Sequence, residues 1–193
     1  MRVIAGQYRG RPLKTLKGEG TRPTTDRVKE ALMSSVCSHY GSLEDARVLD
    51  AFAGSGALGI EAISRGASCV LFADRAKPAQ AIIQKNINSL KIDQSRWSLY
   101  RGDTFSLPQS VHCDPFDLLF LDPPYAFDCE DVIRFIEELH HFDLIEKNAL
   151  IIYEFARKDR EQVLSVFDAY KYDVLTAKDY GDTSVVLARK DGE

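Results

Sequence analysis

The sequence predicts an α/β chain: a mostly parallel sheet with helices on both faces, an antiparallel last strand, and a β-hairpin in front. Three observations predict it. Short apolar runs alternate with amphipathic stretches from Arg47 to Phe167, and repeated strand–helix units pack as a parallel sheet between helices. The first apolar run ends in the turn Gly54-Ser55-Gly56-Ala57-Leu58-Gly59, whose G-x-G-x-x-G spacing lets a nucleotide-like ligand approach the backbone. Four successive runs end in an acid, Asp50, Asp74, Asp103 and Asp122. A parallel sheet gathers such positions at the carboxyl ends of its strands, where ligands bind.

Residues 1–16 alternate loosely around Val3, Ile4, Tyr8, Leu13 and Leu16, with Arg9-Gly10 between them, which predicts a hairpin with an arginine-rich tip. A loop over Lys17–Gly20 follows. Arg22-Pro23-Thr24-Thr25-Asp26 opens a helix that Thr24 or Thr25 can cap. Its apolar face is Val28, Ala31, Leu32 and Val36, and it ends near Tyr40-Gly41. Strands are expected at Arg47–Asp50, Cys69–Asp74, Trp97–Arg101, Phe116–Leu121 and Ala149–Phe155. Phe116–Leu121 is the most apolar of them and so belongs at the centre. Helices are expected at Leu58–Arg65, Pro78–Leu90, Asp131–Leu139 and Asp159–Phe167, and a final hairpin at Tyr170–Ala177 and Ser184–Ala188 turns at Gly181-Asp182. The expected division is a hairpin extension over 1–20 and one domain over 21–193.

With 193 residues, 45% of them hydrophobic and 28% charged, the chain has the composition of one ordinary globular domain. No apolar run approaches the roughly 18 residues of a membrane span, and Met1–Arg9 holds no signal-peptide core. A cytoplasmic location is expected. Cys37, Cys69, Cys113 and Cys129 form no C-x-x-C pair and read as reduced, mostly buried thiols. His39, His112, His140 and His141 lack ligand spacing, so no metal is expected. The net charge is −4, yet residues 1–30 hold eight Lys or Arg and three acids. A basic end on an acidic body is the asymmetry of a chain that touches phosphate. Arg9, Arg11 and Lys14 are its expected contacts; a solvated basic hairpin is the plainer alternative.

Asp50 narrows the ligand. A dinucleotide would set its pyrophosphate at the helix end after the glycines. Two like charges at about 4 Å, in an effective dielectric of about 20, repel by roughly 4 kcal/mol. S-adenosylmethionine has no phosphate and carries an ammonium and a sulfonium, so the acid favours it over NAD. Local capping of the turn is the alternative role for Asp50. Asp74, twenty residues after Gly54, is placed for both ribose hydroxyls, and Asp103 for the adenine amine. Phe52, Gly54, Ser55, Gly56, Arg75 and Thr104 complete the expected cofactor site, together with Asp122.

The fourth acid belongs to Asp122-Pro123-Pro124-Tyr125. Two prolines stiffen the backbone and remove two N–H donors. The Asp122 carboxylate and the Pro123 carbonyl can then accept both hydrogens of an exocyclic amine while Tyr125 stacks on its ring, a contact worth roughly 1–3 kcal/mol. Such acceptors stabilise the charge that develops on the nitrogen as it is alkylated.

D-P-P-Y with the glycine loop resembles the amino-methyltransferases. Four stretches are closer to the bacterial 16S ribosomal RNA guanine-N2 methyltransferase family: Arg2–Arg11, Arg22–Glu30, Gly54–Ala62 and Tyr180–Thr183. The likeness spans nearly the whole chain. It implies a Rossmann-like S-adenosylmethionine-dependent fold and a guanine of small-subunit RNA as target. The substrate would be the assembled or nearly assembled small ribosomal subunit, and the enzyme a monomer. Arg22 and Thr24 would approach the cofactor from above, and the hairpin would help hold RNA. Adenine-N6 methylation of DNA or RNA and a NAD-dependent oxidoreductase are the competing readings.

Overall fold

Mostly apolar runs at 47–51, 69–73 and 116–121 suit strands covered on both faces. A computed structural model, which describes residues 1–16 and 26–190, places them in the middle of one seven-stranded sheet. In chain order the elements are α1 (Asp26–Tyr40), β1 (Arg47–Ala51), α2 (Ala57–Ser64), β2 (Cys69–Ala73), α3 (Lys77–Leu90), β3 (Trp97–Tyr100), the one-turn α4 (Leu107–Ser110), β4 (Phe116–Leu121), α5 (Cys129–His141), β5 (Ile145–Ala156), α6 (Arg160–Ala169), β6 (Tyr172–Tyr180) and β7 (Thr183–Lys190). The strand order is β3-β2-β1-β4-β5-β7-β6. All pairs from β3 to β5 are parallel, and β7 runs antiparallel to both neighbours. The order reverses between β1 and β4, the switch point where doubly wound sheets bind ligands.

Side-chain alternation sorts the core into two layers. Val48, Val70, Phe72, Leu118, Phe120 and Ile152 join the layer of α1, α2 and α3. Leu49, Leu71, Leu119, Ile151 and Tyr153 join the layer of α5 and α6. Asp50 shares the parity of the first layer, so its carboxylate faces α2.

The N-terminal hairpin carries one antiparallel bridge, Arg2 with Pro12. Hydrogen bonds from Val3 N to Arg11 O (2.9 Å) and Leu13 N to Met1 O (3.0 Å) flank it. The hairpin lies against α2: Gln7 N donates to Ser64 O (2.7 Å) and Tyr8 N to Ser64 Oγ (3.0 Å). Gly6 makes the approach possible, since a Cβ there would stand 1.7 Å from Ser64 O.

The buried face of α1 differs from expectation. Lys29, Leu32, Met33, Ser35 and Val36 are buried, whereas Val28 and Ala31 are half-covered. A buried acid on α2, Glu61, receives the Lys29 ammonium and turns the helix toward it. Glu61 is therefore an interior anchor, which also accepts from the hairpin backbone. Of the cysteines only Cys129 is buried, and Cys113 is exposed. No helix among the described residues is long and apolar enough to cross a membrane.

Candidate active site

The carboxyl ends of β1, β2 and β4 open onto a cleft of about 570 Å³. Asp50, Phe52, Gly54, Ser55, Asp74, Arg75, Asp103, Thr104, Asp122, Pro123, Pro124 and Tyr125 all line it. Gly56 sits behind the loop, where a Cβ would meet Phe72 and Ile83 at 3.2 Å. Arg22 and Thr24, with the helix opening around them, lie outside the described residues.

Each acid is held by backbone that the sequence supplies nearby. Asp50 Oδ2 accepts from Gly59 N at 2.9 Å. A Cβ at Gly59 would stand 2.4 Å from Phe72 and 2.9 Å from Asp50 Oδ2, so glycine lets α2 come down onto the acid. Burial pushes the Asp50 carboxyl up to about 8; the Gly59 N–H opposes the rise, and Asp122 and Asp74 add to it. Asp50 thus ties the glycine turn and also borders the cleft. Asp74 accepts from Gly54 N (2.9 Å) and Ala76 N (2.8 Å). An ionised carboxylate has about four acceptor positions, so two remain for a diol. Asp103 accepts from Phe105 N at 3.4 Å and stands 3.9 Å from Arg75.

Phe52 joins these walls. Its φ of +62° lies in the left-handed region, a conformation that costs a non-glycine residue free energy and concentrates at functional sites. Its ring packs against Phe105 (5.5 Å between centroids) and Phe127 (6.0 Å). Phe127 also lines the cleft.

Across the cleft, Asp122 is half-buried, and desolvation pushes its carboxyl up to about 6. Tyr125 is 53% exposed, with its hydroxyl 2.9 Å from Thr183 Oγ1. The phenol is thereby anchored at its tip while its face stays open. Thr183 and Tyr180 close this side; both fall in a stretch singled out by resemblance, yet neither was an expected site residue. Lys29 and Glu154 also line the cleft. A helix-face pattern gave no signal for Lys29, and Glu154 stands out only once β5 is registered against β4.

Arg9, Arg11 and Lys14 are exposed on the hairpin. Arg11 donates to Ser89 O at 3.1 Å, and Lys14 N to Asn86 Oδ1 at 2.8 Å. Thr15 and Leu16, which follow them, line the cleft.

The model of the family described as Conserved hypothetical protein 95 matches residues 1–189. The chain belongs to that family. Among its relatives, ribosomal RNA small subunit methyltransferase D of Haemophilus influenzae is 37% identical over 161 residues, 83% of this chain and 80% of that protein. The protein of the same name from Escherichia coli is 38% identical over 141 residues, 72% and 67% of the two chains. A solved Escherichia coli structure, described provisionally as the methyltransferase YhhF, superposes with a TM-score of 0.79 at 29% identity, covering 100% and 99%. The Conserved hypothetical protein 95 family thus includes methyltransferases of small-subunit ribosomal RNA, and the mixed sheet described above is their fold.

Proposed function

We propose that this chain transfers a methyl group from S-adenosylmethionine to the exocyclic N2 of a guanine in small-subunit ribosomal RNA. The observation that carries the reading is the D-P-P-Y loop facing the glycine loop and its acids across one cleft, in a chain whose relatives carry the name of small-subunit RNA methyltransferases.

The residues present fit the cofactor. Burial favours the protonated form of Asp50; a cation bound beside it would favour the carboxylate, which a pyrophosphate would oppose, and Asp74 keeps acceptor positions for a ribose. S-adenosylmethionine, when bound, supplies an electrophilic methyl group on its sulfonium. The chain's own task is to present the amine. The Asp122 carboxylate and the Pro123 carbonyl accept its two hydrogens, hold the nitrogen in place and stabilise the positive charge it gains. Tyr125 carries the base on its exposed face, held by Thr183. Arg9, Arg11 and Lys14 offer phosphate contacts on the hairpin, whose chain runs on to Thr15 and Leu16 at the cleft, which suits a large folded RNA. An assembled subunit as substrate, with the enzyme as a monomer, completes the proposal.

Labelled transfer to small subunits that lack guanine-N2 methylation, followed by digestion to nucleosides, tests it. Label in N2-methylguanosine is the expected result. Label in N6-methyladenosine would keep the loop chemistry and overturn the target. No transfer, with S-adenosylmethionine bound, would overturn the substrate.

A further inference from the structure

We infer that Glu154 selects guanine by accepting the N1–H that neighbours the exocyclic amine, an inference that rests on the function proposed above. Strands β4 and β5 pair in parallel with Leu121 opposite Tyr153. The next positions, Asp122 and Glu154, therefore stand side by side, Asp122 just past the end of β4 and Glu154 still within β5. Both line the main cleft. Glu154 also lines a smaller adjoining cavity of about 240 Å³ that runs under Pro123, Pro124 and Tyr125. It is half-buried, and on its far side it pairs with Val185 of β7. In strand order, Asp122 stands between Glu154 and the glycine-loop acids. Glu154 thus flanks the D-P-P-Y loop on the side away from the glycine loop, where a base held by Tyr125 extends.

Asp122 and the Pro123 carbonyl recognise only an amine, and adenine, cytosine and guanine all have one. A ring atom next to that amine tells them apart. In guanine one of the two flanking ring nitrogens, N1, carries a hydrogen, while N3 on the other side has a lone pair. Beside the amines of adenine and cytosine the flanking ring nitrogen has a lone pair. An ionised carboxylate only accepts hydrogen bonds, so it attracts N1–H and repels the lone pair. Glu154 already makes an interaction within the chain, and a carboxylate has about four acceptor positions, so N1–H adds to that contact. Sites built around a buried polar partner reject analogues that lack the matching group far more strongly than apolar pockets do.

The probe is 2-aminopurine, which keeps the 2-amino group and has a lone pair at N1. Small subunits are reconstituted with guanine or 2-aminopurine at the nucleotide that the wild-type enzyme labels. Wild type should prefer guanine by about tenfold or more in kcat/KM. Glu154→Gln, whose amide can donate to a lone pair, should lose most of that preference while binding S-adenosylmethionine as before, the control for its fold. Equal wild-type use of the two substrates overturns the inference, whatever the variant does. So does an unchanged preference in the variant. Failure of the proposed function looks different: label would be absent from N2 of guanine in the wild-type enzyme itself.

Discussion

Replacing Glu61 by Gln perturbs a buried group with four partners. Both Glu61 and Lys29 have no exposed side-chain surface, and Lys29 Nζ stands 3.2 Å from Glu61 Oε2. Glu61 also accepts from Ile4 N (2.8 Å), Ala5 N (3.0 Å) and Arg65 Nε (3.0 Å). The amide keeps one acceptor oxygen and turns an NH2 group toward donors. Lys29 would be left with the Arg2 carbonyl, its other acceptor, at 2.7 Å. Burial already holds the Lys29 ammonium below its usual pKa, and Glu61, with a smaller part from Asp26, opposes that shift. Removing one partner of a buried pair costs about 3–5 kcal/mol, a large share of a domain stability of roughly 5–15 kcal/mol. With a urea m-value of about 2 kcal/mol per molar, the unfolding midpoint should fall by roughly 2 M. Lys29→Met should cost less, because Glu61 keeps Arg65 and two backbone donors. The double variant should be more stable than Glu61→Gln alone, since no unpaired ammonium is left inside. Urea unfolding of all four proteins completes the cycle. A Glu61→Gln loss below about 1 kcal/mol, or strictly additive losses, would refute the account of this node.

Three further outcomes are expected. Asp50 has a folded pKa raised from 3.8 to about 8, so the stability it confers is full below pH 4 and is lost as pH rises toward 8. Asp50→Asn, which keeps an acceptor for Gly59 N–H, should match the wild type near pH 4 and exceed it in thermal denaturation at pH 8; parallel profiles would contradict this. For Asp122, the accepting form is the carboxylate, and burial sets its titration at about 6. Thus kcat/KM should fall as pH drops through 6, Asp122→Asn should remove that inflection, and Asp122→Ala should lose about 100-fold or more in kcat. Changing Arg9, Arg11 and Lys14 together to Gln should lower the salt slope of RNA affinity by about 2 and spare S-adenosylmethionine binding; an unchanged slope in filter binding would take the hairpin out of the interface.

Legibility in the sequence followed the range of the interactions. The glycine loop, the acids after each strand and D-P-P-Y were visible because each is a local device: a turn, a strand end, two prolines. Boundaries slipped where tertiary contact decides. Strand β5 begins at Ile145 rather than Ala149 because Ile145 pairs with Phe116 across a register shift. Strand β6 runs to Tyr180 because β7 offers it partners down to the turn. The one-turn α4 and the short turn at 104–106 carry too few residues for any periodicity to show.

The burial of Lys29 and Glu61 was illegible for a related reason. In a single helix, a charged residue beside an apolar stripe reads as a solvated edge. Only the meeting of α1, α2 and the hairpin supplies enough partners to hold two charges inside. Phe52 gave no sign of its left-handed backbone, which the surrounding Phe105, Phe127 and Phe135 rings hold in place.

By itself, the sequence determined the class of fold, the edge of the sheet where the cleft opens, and the chemistry of the loop that would meet an amine. Those rest on alternation, turn residues and spacing, which act within a few residues of one another. The tertiary structure decided which strands are neighbours, and with that the position of Glu154 beside Asp122, of Thr183 beneath the Tyr125 hydroxyl, and of Glu61 within reach of Lys29 and the hairpin backbone. These pairs lie 32 to 58 residues apart, and no local propensity carries information over that distance; hydrogen-bond register and the packing of helices on the sheet do.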